Sequence, residues 1–136
     1  MTTVFRDVVQ FKPSGATTGT YAFGSPSKLS TSDATTTQVA ALPVAEGECV
    51  AYYGVIVGKK TDLSAGFMAR FEGCARRASA GNVTAVGTPL LTIYETGAST
   101  NATITADTTN QTVDFNVVGI AAENWEWELH GFAVKI

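Results

Sequence analysis

The sequence predicts an all-β protein, an antiparallel β-sandwich or jelly-roll-like barrel of about eight strands with an extended N-terminal arm. Apolar and polar residues alternate over most of the chain, and no window of about 12 residues or more shows the 3.6-residue period of an amphipathic helix. Thr and Val, which suit a pleated and half-buried surface, are abundant. Gly, Pro, Asn and Asp interrupt the alternating runs every 8–12 residues or so, a spacing typical of sandwiches and barrels.

The composition limits the classes of function. The chain has 136 residues, of which 45% are hydrophobic and only 15% charged, with 20 Thr, 19 Ala and 13 Gly. This length fits one domain. A net charge of −3 argues against nucleic-acid binding. No apolar run approaches the roughly 20 residues needed to span a membrane. The chain has a single His and therefore few candidate catalytic side chains, so we expect a non-enzymatic structural or binding role.

The first 47 residues hold few candidate core residues for their length. We assign a strand to residues 4–11 and a loop that carries a short strand to residues 12–24. Residues 25–37 are assigned to a loop or arm, and residues 38–44 to a brief strand. Because a long loop without structure of its own is uncommon in a compact domain, we expect residues 1–47 to form an N-terminal strand and a Thr/Ser/Gly-rich arm. Such an arm could pair with another chain by strand addition.

Residues 48–136 carry the stronger strand patterns and are predicted to form the sandwich core of a single domain. Residues 49–59 are apolar on both faces, which predicts a central strand buried on both sides. In the next strand, the alternation places Phe67, Ala69, Phe71, Gly73 and Ala75 inside and Met68, Arg70, Glu72, Cys74 and Arg76 outside. Further strands are predicted at residues 83–94 (one strand or two), 102–106, 113–117 and 125–136, with a tight turn at 107–110.

The two cysteines give no metal-site pattern. Cys49 and Cys74 are 25 residues apart, form no CxxC motif and have only His130 as a further nitrogen or sulfur ligand. We predict free thiols, no metal and no cofactor.

Glu126 and Glu128 flank Trp127 on the last strand, a combination that could indicate a glycosidase or sugar-binding site. The interpretation that we favour places Trp125 and Trp127 in the core and the two glutamates on the solvent-exposed face of the same strand. His130 shares that face and is predicted to be a surface or interface histidine.

Arg70, Arg76 and Arg77 form the only basic concentration, with Glu72 between them. Alternation places Arg70, Glu72 and Arg76 on one strand face. They are predicted to be either a solvated face or an ion-pair network between subunits. The complete set of candidate subunit or capsid interface residues is Val4, Phe5, Phe11, Tyr21, Phe23, Arg70, Glu72, Arg76, Glu126, Glu128 and His130.

Residues 69–77 (ARFEGCARR), 87–96 (GTPLLTIYET) and 102–119 (ATITADTTNQTVDFNVVG), followed by a Trp-bearing last strand, resemble small virion proteins of tailed bacteriophages. The resemblance covers roughly residues 48–136. It implies a β-sandwich virion module, and for a short chain with no fibre shaft it implies a capsid decoration (cement) protein. Such proteins are usually homotrimers, so the implied partners are copies of the chain and the major capsid protein, with no nucleic acid and no membrane.

The last strand departs from the typical pattern, which carries Arg after the Trp, because Glu126, Glu128 and His130 stand there instead. The N-terminus lacks the apolar stretch of a signal peptide, so we expect synthesis in the host cytoplasm and final location on the capsid surface.

Two alternatives stay open. The first is a receptor- or carbohydrate-binding module of a tail or head fibre, with Trp125, Trp127, Tyr52 or Tyr53 as an aromatic platform. The second is a small β-fold hydrolase that uses Glu126, Glu128 and His130.

Overall fold

Ten antiparallel strands build the protein in a computed structural model that describes residues 19–97 and 99–136. The strands are β1 (Gly19–Gly24), β2 (Leu29–Thr31), β3 (Thr36–Pro43), β4 (Glu48–Lys60), β5 (Gly66–Arg77), β6 (Val83–Ala85), β7 (Leu90–Glu95), β8 (Asn101–Asp107), β9 (Thr112–Val118) and β10 (Trp125–Lys135). No helix in this part of the chain is long and apolar enough to cross a membrane.

The strands form two sheets that pack face to face. The large sheet has seven strands in the order β1-β10-β4-β5-β6, with β2 also paired to β10 and β7 also paired to β5. The small sheet has three strands in the order β3-β9-β8. The all-β class and the antiparallel sandwich are therefore confirmed. The sheets are open rather than closed into a barrel, and there are ten strands where the sequence predicts about eight.

Residues 19–43 form three strands: the short strands predicted within 12–24 and at 38–44 correspond to β1 and β3, whereas the loop or arm predicted at 25–37 contains β2 and the start of β3. They supply β1 and β2, which pair with successive parts of β10, and β3, which pairs with β9. Val39 and Leu42 of β3 are buried in the core. Sheet edges are held by backbone hydrogen bonds, so a polar, Thr-rich segment can join a sheet with few apolar side chains of its own. The predicted strand at residues 4–11 lies outside the described residues.

Aromatic rings fill the space between the sheets. Phe115 of the small sheet contacts Phe23, Tyr52 and Phe71 of the large sheet, with ring centroids 4.9–5.5 Å apart. Trp125 and Trp127 stack on each other at 5.4 Å and are almost completely buried. The prediction that both tryptophans belong to the core is confirmed.

Inward-facing glycines on the large sheet make room for these rings. A Cβ atom at position 58 would lie 2.5 Å from the ring of Trp127, and one at position 131 would lie 2.8 Å from the ring of Phe23. At position 73 it would overlap the Tyr52 ring. Each glycine therefore lets a neighbouring aromatic ring pack directly against the backbone.

The strand β4 is not buried on both sides, as its sequence predicts. Val50, Tyr52 and Ile56 point inward and are buried, whereas Tyr53 and Val57 point outward with 45% and 51% of their surface exposed. The small sheet covers one face of the large sheet, and no described residues form a layer over the other. By contrast, the predicted inside and outside sets of β5 are confirmed.

Replacing Gly54 with Ala should destabilise the protein by about 3 kcal/mol, because the added methyl group would meet backbone that cannot rotate away. The new Cβ would lie 2.6 Å from the Cα of Gly131 and would overlap the carbonyl oxygen of His130. Urea denaturation measures the change. Gly97→Ala is the matched control, because no atom lies within 4 Å of its added Cβ, and it should change stability by less than about 0.5 kcal/mol. Equal effects of the two substitutions would contradict this account.

Candidate functional site

The outer face, meaning the side of the large sheet that points away from the small sheet, carries a concentration of exposed apolar side chains. Of the nine large hydrophobic residues that are exposed in the described part of the chain, six lie on this face. They are Tyr53, Val57, Leu90, Tyr94, Phe132 and Val134. Contiguous apolar surface of this kind marks interaction sites on soluble proteins.

Strand register brings these side chains together in rows across the sheet. Phe132, Tyr53, Glu72 and Leu90 are consecutive partners on β10, β4, β5 and β7. The next row is His130, Val55, Arg70 and Thr92. Directly opposed side chains on one face of an antiparallel sheet have Cβ atoms about 5 Å apart, so each row is a continuous strip.

The two rows enclose a shallow cavity of about 680 Å³, which we call the outer groove. Its walls include Tyr53, Phe132, Leu90, Arg70, Glu72 and His130. The rings of Tyr53 and Phe132 pack against each other with centroids 5.8 Å apart. The outer groove thus combines an aromatic pair with two charged residues and the single histidine.

Three charged side chains of β5 on the outer face have no ion-pair partner among the described residues. Five of the seven lysines and arginines in the described residues form an ion pair with a carboxylate, and the exceptions are Arg70 and Arg76. Glu72, between them on β5, also has no ion-pair partner among the described side chains. Arg70 and Glu72 border the outer groove, whereas Arg76 lies outside it, at the C-terminal end of β5.

Glu126 belongs to a separate charge cluster on the outer face. Lys28 Nζ lies 2.7 Å and Lys59 Nζ 3.8 Å from its carboxylate oxygens. The hydrogen bond from Lys28 lowers the pKa of Glu126. A glycosidase general acid needs the opposite shift, a raised pKa that keeps its proton at neutral pH. Glu128 instead lies 3.7 Å from His130.

Burial removes three aromatic residues from the predicted sugar platform. Trp125, Trp127 and Tyr52 are no more than 2% exposed, and the Trp127 indole donates a hydrogen bond to Thr31 Oγ1 at 3.0 Å. Desolvation by burial also raises the pKa of Tyr52 to about 12. Tyr53 alone of the four candidates reaches solvent, in the outer groove.

Of the remaining predicted interface residues, Tyr21 and Phe23 lie outside the outer groove. The side chains of Tyr21 and Phe23 are half-buried and pack against the core of the same chain. Val4, Phe5 and Phe11 lie outside the described residues.

Sequence reasoning missed Phe132 and Leu90 as groove residues. A signal was available, because β4 has apolar residues on both faces and one of them had to be uncovered if the second sheet was small. Among the described residues, no group of three or more His, Cys, Asp or Glu side chains is placed to hold a metal ion.

Comparisons with known proteins show little. No family model matches the chain, and no curated protein matches it. A solved structure, the tailspike protein of Acinetobacter baumannii phage AM24, is similar with a TM-score of 0.39 and 11% identity. The aligned region covers 82% of this chain and 26% of the tailspike chain. A similarity of this size transfers no function.

Replacing Lys28 with Met should raise the pKa of Glu126 toward the ordinary value for a glutamate, because the hydrogen bond that favours the carboxylate is lost. A carboxyl group with a lowered pKa stabilises the fold above its unfolded pKa, and that contribution disappears as the pH falls through its folded pKa. NMR titration of the Glu126 side chain measures the shift. Lys59→Met is the control and should shift the pKa less, since Lys59 is 3.8 Å away rather than 2.7 Å. An unchanged Glu126 pKa in the Lys28 variant would contradict the assignment.

Proposed function

We propose that the protein is a non-enzymatic structural protein that assembles through the outer face of its large sheet. In this proposal it is a capsid decoration (cement) protein of a tailed bacteriophage. Its partners are copies of itself, as a homotrimer, and the major capsid protein. Its place of action is the capsid surface.

The single observation that carries the proposal is the outer groove, where exposed aromatic residues sit beside charges without an intrachain partner. Interface centres are enriched in Tyr, Phe and Arg, and the residues that dominate binding are usually aromatic or Arg anchors in such pockets. Tyr53, Phe132 and Arg70 have this composition and lie on adjacent strands.

Arg70 and Glu72 favour a second copy of the chain as the occupant of the groove. The two side chains point the same way on β5, two residues and therefore about 7 Å apart. When several copies bring this face toward one symmetry axis, Arg70 of each copy can lie against Glu72 of the next. The pairing would neutralise both charges and would bring the Tyr53 and Phe132 rings of neighbouring copies into contact.

The assignment to a virion is supported by the sequence resemblance of residues 48–136 and by the low charge of the chain. With only 15% charged residues, much of the surface is suited to flat contacts with other subunits. Electron microscopy of labelled particles tests this part of the proposal. Label on the capsid shell is expected, and label confined to the tail would overturn it.

Reversing the charge of either groove residue should disrupt self-association, whereas exchanging the two charges should restore it. Arg70→Glu and Glu72→Arg each place like charges together at the contact and should weaken association about tenfold or more. The double variant R70E/E72R recreates opposite charges and should recover most of the wild-type affinity. Sedimentation velocity over a concentration series measures the oligomer equilibrium.

Ala41→Glu is the control for this experiment. Ala41 is an exposed residue of β3 on the small sheet, far from the outer groove, so its replacement should leave association unchanged. A wild-type protein that stays monomeric at all concentrations, or a double variant as weak as the single variants, would contradict the self-assembly proposal.

A second candidate function, a receptor- or carbohydrate-binding module, is favoured by the same aromatic pair. Tyr53 and Phe132 are 45% and 36% exposed and could stack on a sugar ring, with Arg70, Glu72 and His130 as hydrogen-bonding neighbours. A glycan array distinguishes the two functions. Binding that is lost in Tyr53→Ala, together with a monomeric protein, would favour this candidate over self-assembly.

A further inference from the structure

The two cysteines, far apart in the sequence, lie side by side in the structure. Cys49 of β4 and Cys74 of β5 both point to the outer face, and their Sγ atoms are 3.7 Å apart. Both are half-buried free thiols. They lie beyond the outer groove, toward the end of the sheet that holds the C-terminus.

Strand register explains the contact. Cys74 pairs with Ala51 and Cys49 pairs with Arg76, so the cysteines are diagonal neighbours on one face of two adjacent strands. Diagonal neighbours are typically about 7–8 Å apart, and in this pair both side chains point toward each other so that the Sγ atoms lie 3.7 Å apart.

Hydrogen bonds hold the backbone on both sides of the pair. Cys49 and Ile136 exchange two backbone hydrogen bonds of 2.9 and 3.0 Å, and the Val86 amide donates to the Cys74 carbonyl at 2.8 Å. These bonds keep the strands at a distance that brings the two sulfur atoms to 3.7 Å from each other. To reach the bond length of about 2.05 Å, the sulfur atoms must approach further through side-chain rotation and a local adjustment of the backbone.

We propose that Cys49 and Cys74 are the site of an intrachain disulfide, formed when the protein meets a low-molecular-weight disulfide such as oxidised glutathione. The bond would join β4 to β5 and close a loop that spans residues 49–74. The inference is independent of the assembly proposed above, and it describes a covalent modification for which the structure holds the two groups in place.

The reaction is two thiol–disulfide exchanges. One cysteine loses its proton, and its thiolate attacks a sulfur of the small disulfide, forming a mixed disulfide and releasing one small thiolate. The second cysteine, also deprotonated, then attacks the protein sulfur of that mixed disulfide and releases the second small thiolate. The two protons end on the released thiols, so two cysteine thiols are oxidised and one small disulfide is reduced.

Proximity favours the second step within one chain. The partner sulfur is in contact, so the intrachain attack has a far higher effective concentration than attack by another molecule. In the reducing cytosol, thiols stay reduced, whereas an oxidising medium outside the cell allows the bond to form and persist.

The experiment incubates the purified full chain with oxidised glutathione and then alkylates any remaining thiols under denaturing conditions. Burial and contact with the Cys49 thiol raise the pKa of Cys74, so a mildly alkaline buffer supplies the thiolate. Intact mass spectrometry should show loss of two hydrogen atoms, no bound glutathione and no alkylation. Digestion should give a peptide that joins Cys49 to Cys74.

The oxidised protein should also melt about 5–10 °C higher than the reduced protein, because the cross-link restricts the unfolded chain. The variants Cys49→Ser and Cys74→Ser keep one thiol each, and they should stop at the mixed disulfide and show no comparable rise.

Products that consist only of bound glutathione or of disulfide-linked dimers would overturn the inference, as would thiols that stay unreacted in the folded protein. The assembly variant R70E should form the intrachain bond as readily as the wild type. A failure of the disulfide and a failure of self-association are therefore separate results.

Discussion

The rest of the structure depends on one packing constraint: aromatic rings pack directly against glycine backbone in the large sheet. Gly58, Gly73 and Gly131 face inward, and each leaves the space that Trp127, Tyr52 or Phe23 occupies. A side chain at any of these positions would push a ring toward the small sheet. Because two of these rings, Phe23 and Tyr52, pack against Phe115 of the small sheet, the two sheets can approach closely only while these positions carry no side chain.

This packing also decides what is left outside. Side chains alternate along a strand, so fixing Val50, Tyr52 and Ile56 of β4 in the core sends Tyr53, Val55 and Val57 to the opposite face. The small sheet has three strands and covers the inner face. The described residues therefore form no layer over the outer groove, and its aromatic side chains stay exposed.

The outer groove differs from its surroundings in that its charged residues Arg70 and Glu72 lack an ion pair among the described residues, whereas the charge clusters toward the two ends of the sheet are paired. Toward one end of the outer face Glu126 pairs with Lys28 and Lys59. Toward the other end of the sheet, on its inner side, the buried Lys135 contacts Glu48 and the Pro43 carbonyl. Arg70 and Glu72 stay between these clusters without an ion pair among the described residues. Charges that are balanced locally contribute little to recognition, whereas an uncompensated pair beside exposed aromatic residues can select a complementary surface.

The sequence by itself determined the fold class, the alternation of β5 and β10, the tryptophans of the core and the turn after β8. Asp107 forms that turn through its own side chain, which accepts hydrogen bonds from the amides of Thr109 and Asn110. These features depend on neighbours within a few residues, and period-two patterning or side-chain chemistry reveals them directly.

Only the tertiary structure decided that residues 19–43 belong to the sandwich, that one face of β4 is exposed and that Cys49 and Cys74 touch. Each depends on which strands pair and in what register. The pairing of β1 and β2 with β10 joins residues about 100 positions apart, and the outer groove draws its walls from four strands. Local patterns show that a strand has two apolar faces, but the number of strands in the opposing sheet determines which face is covered.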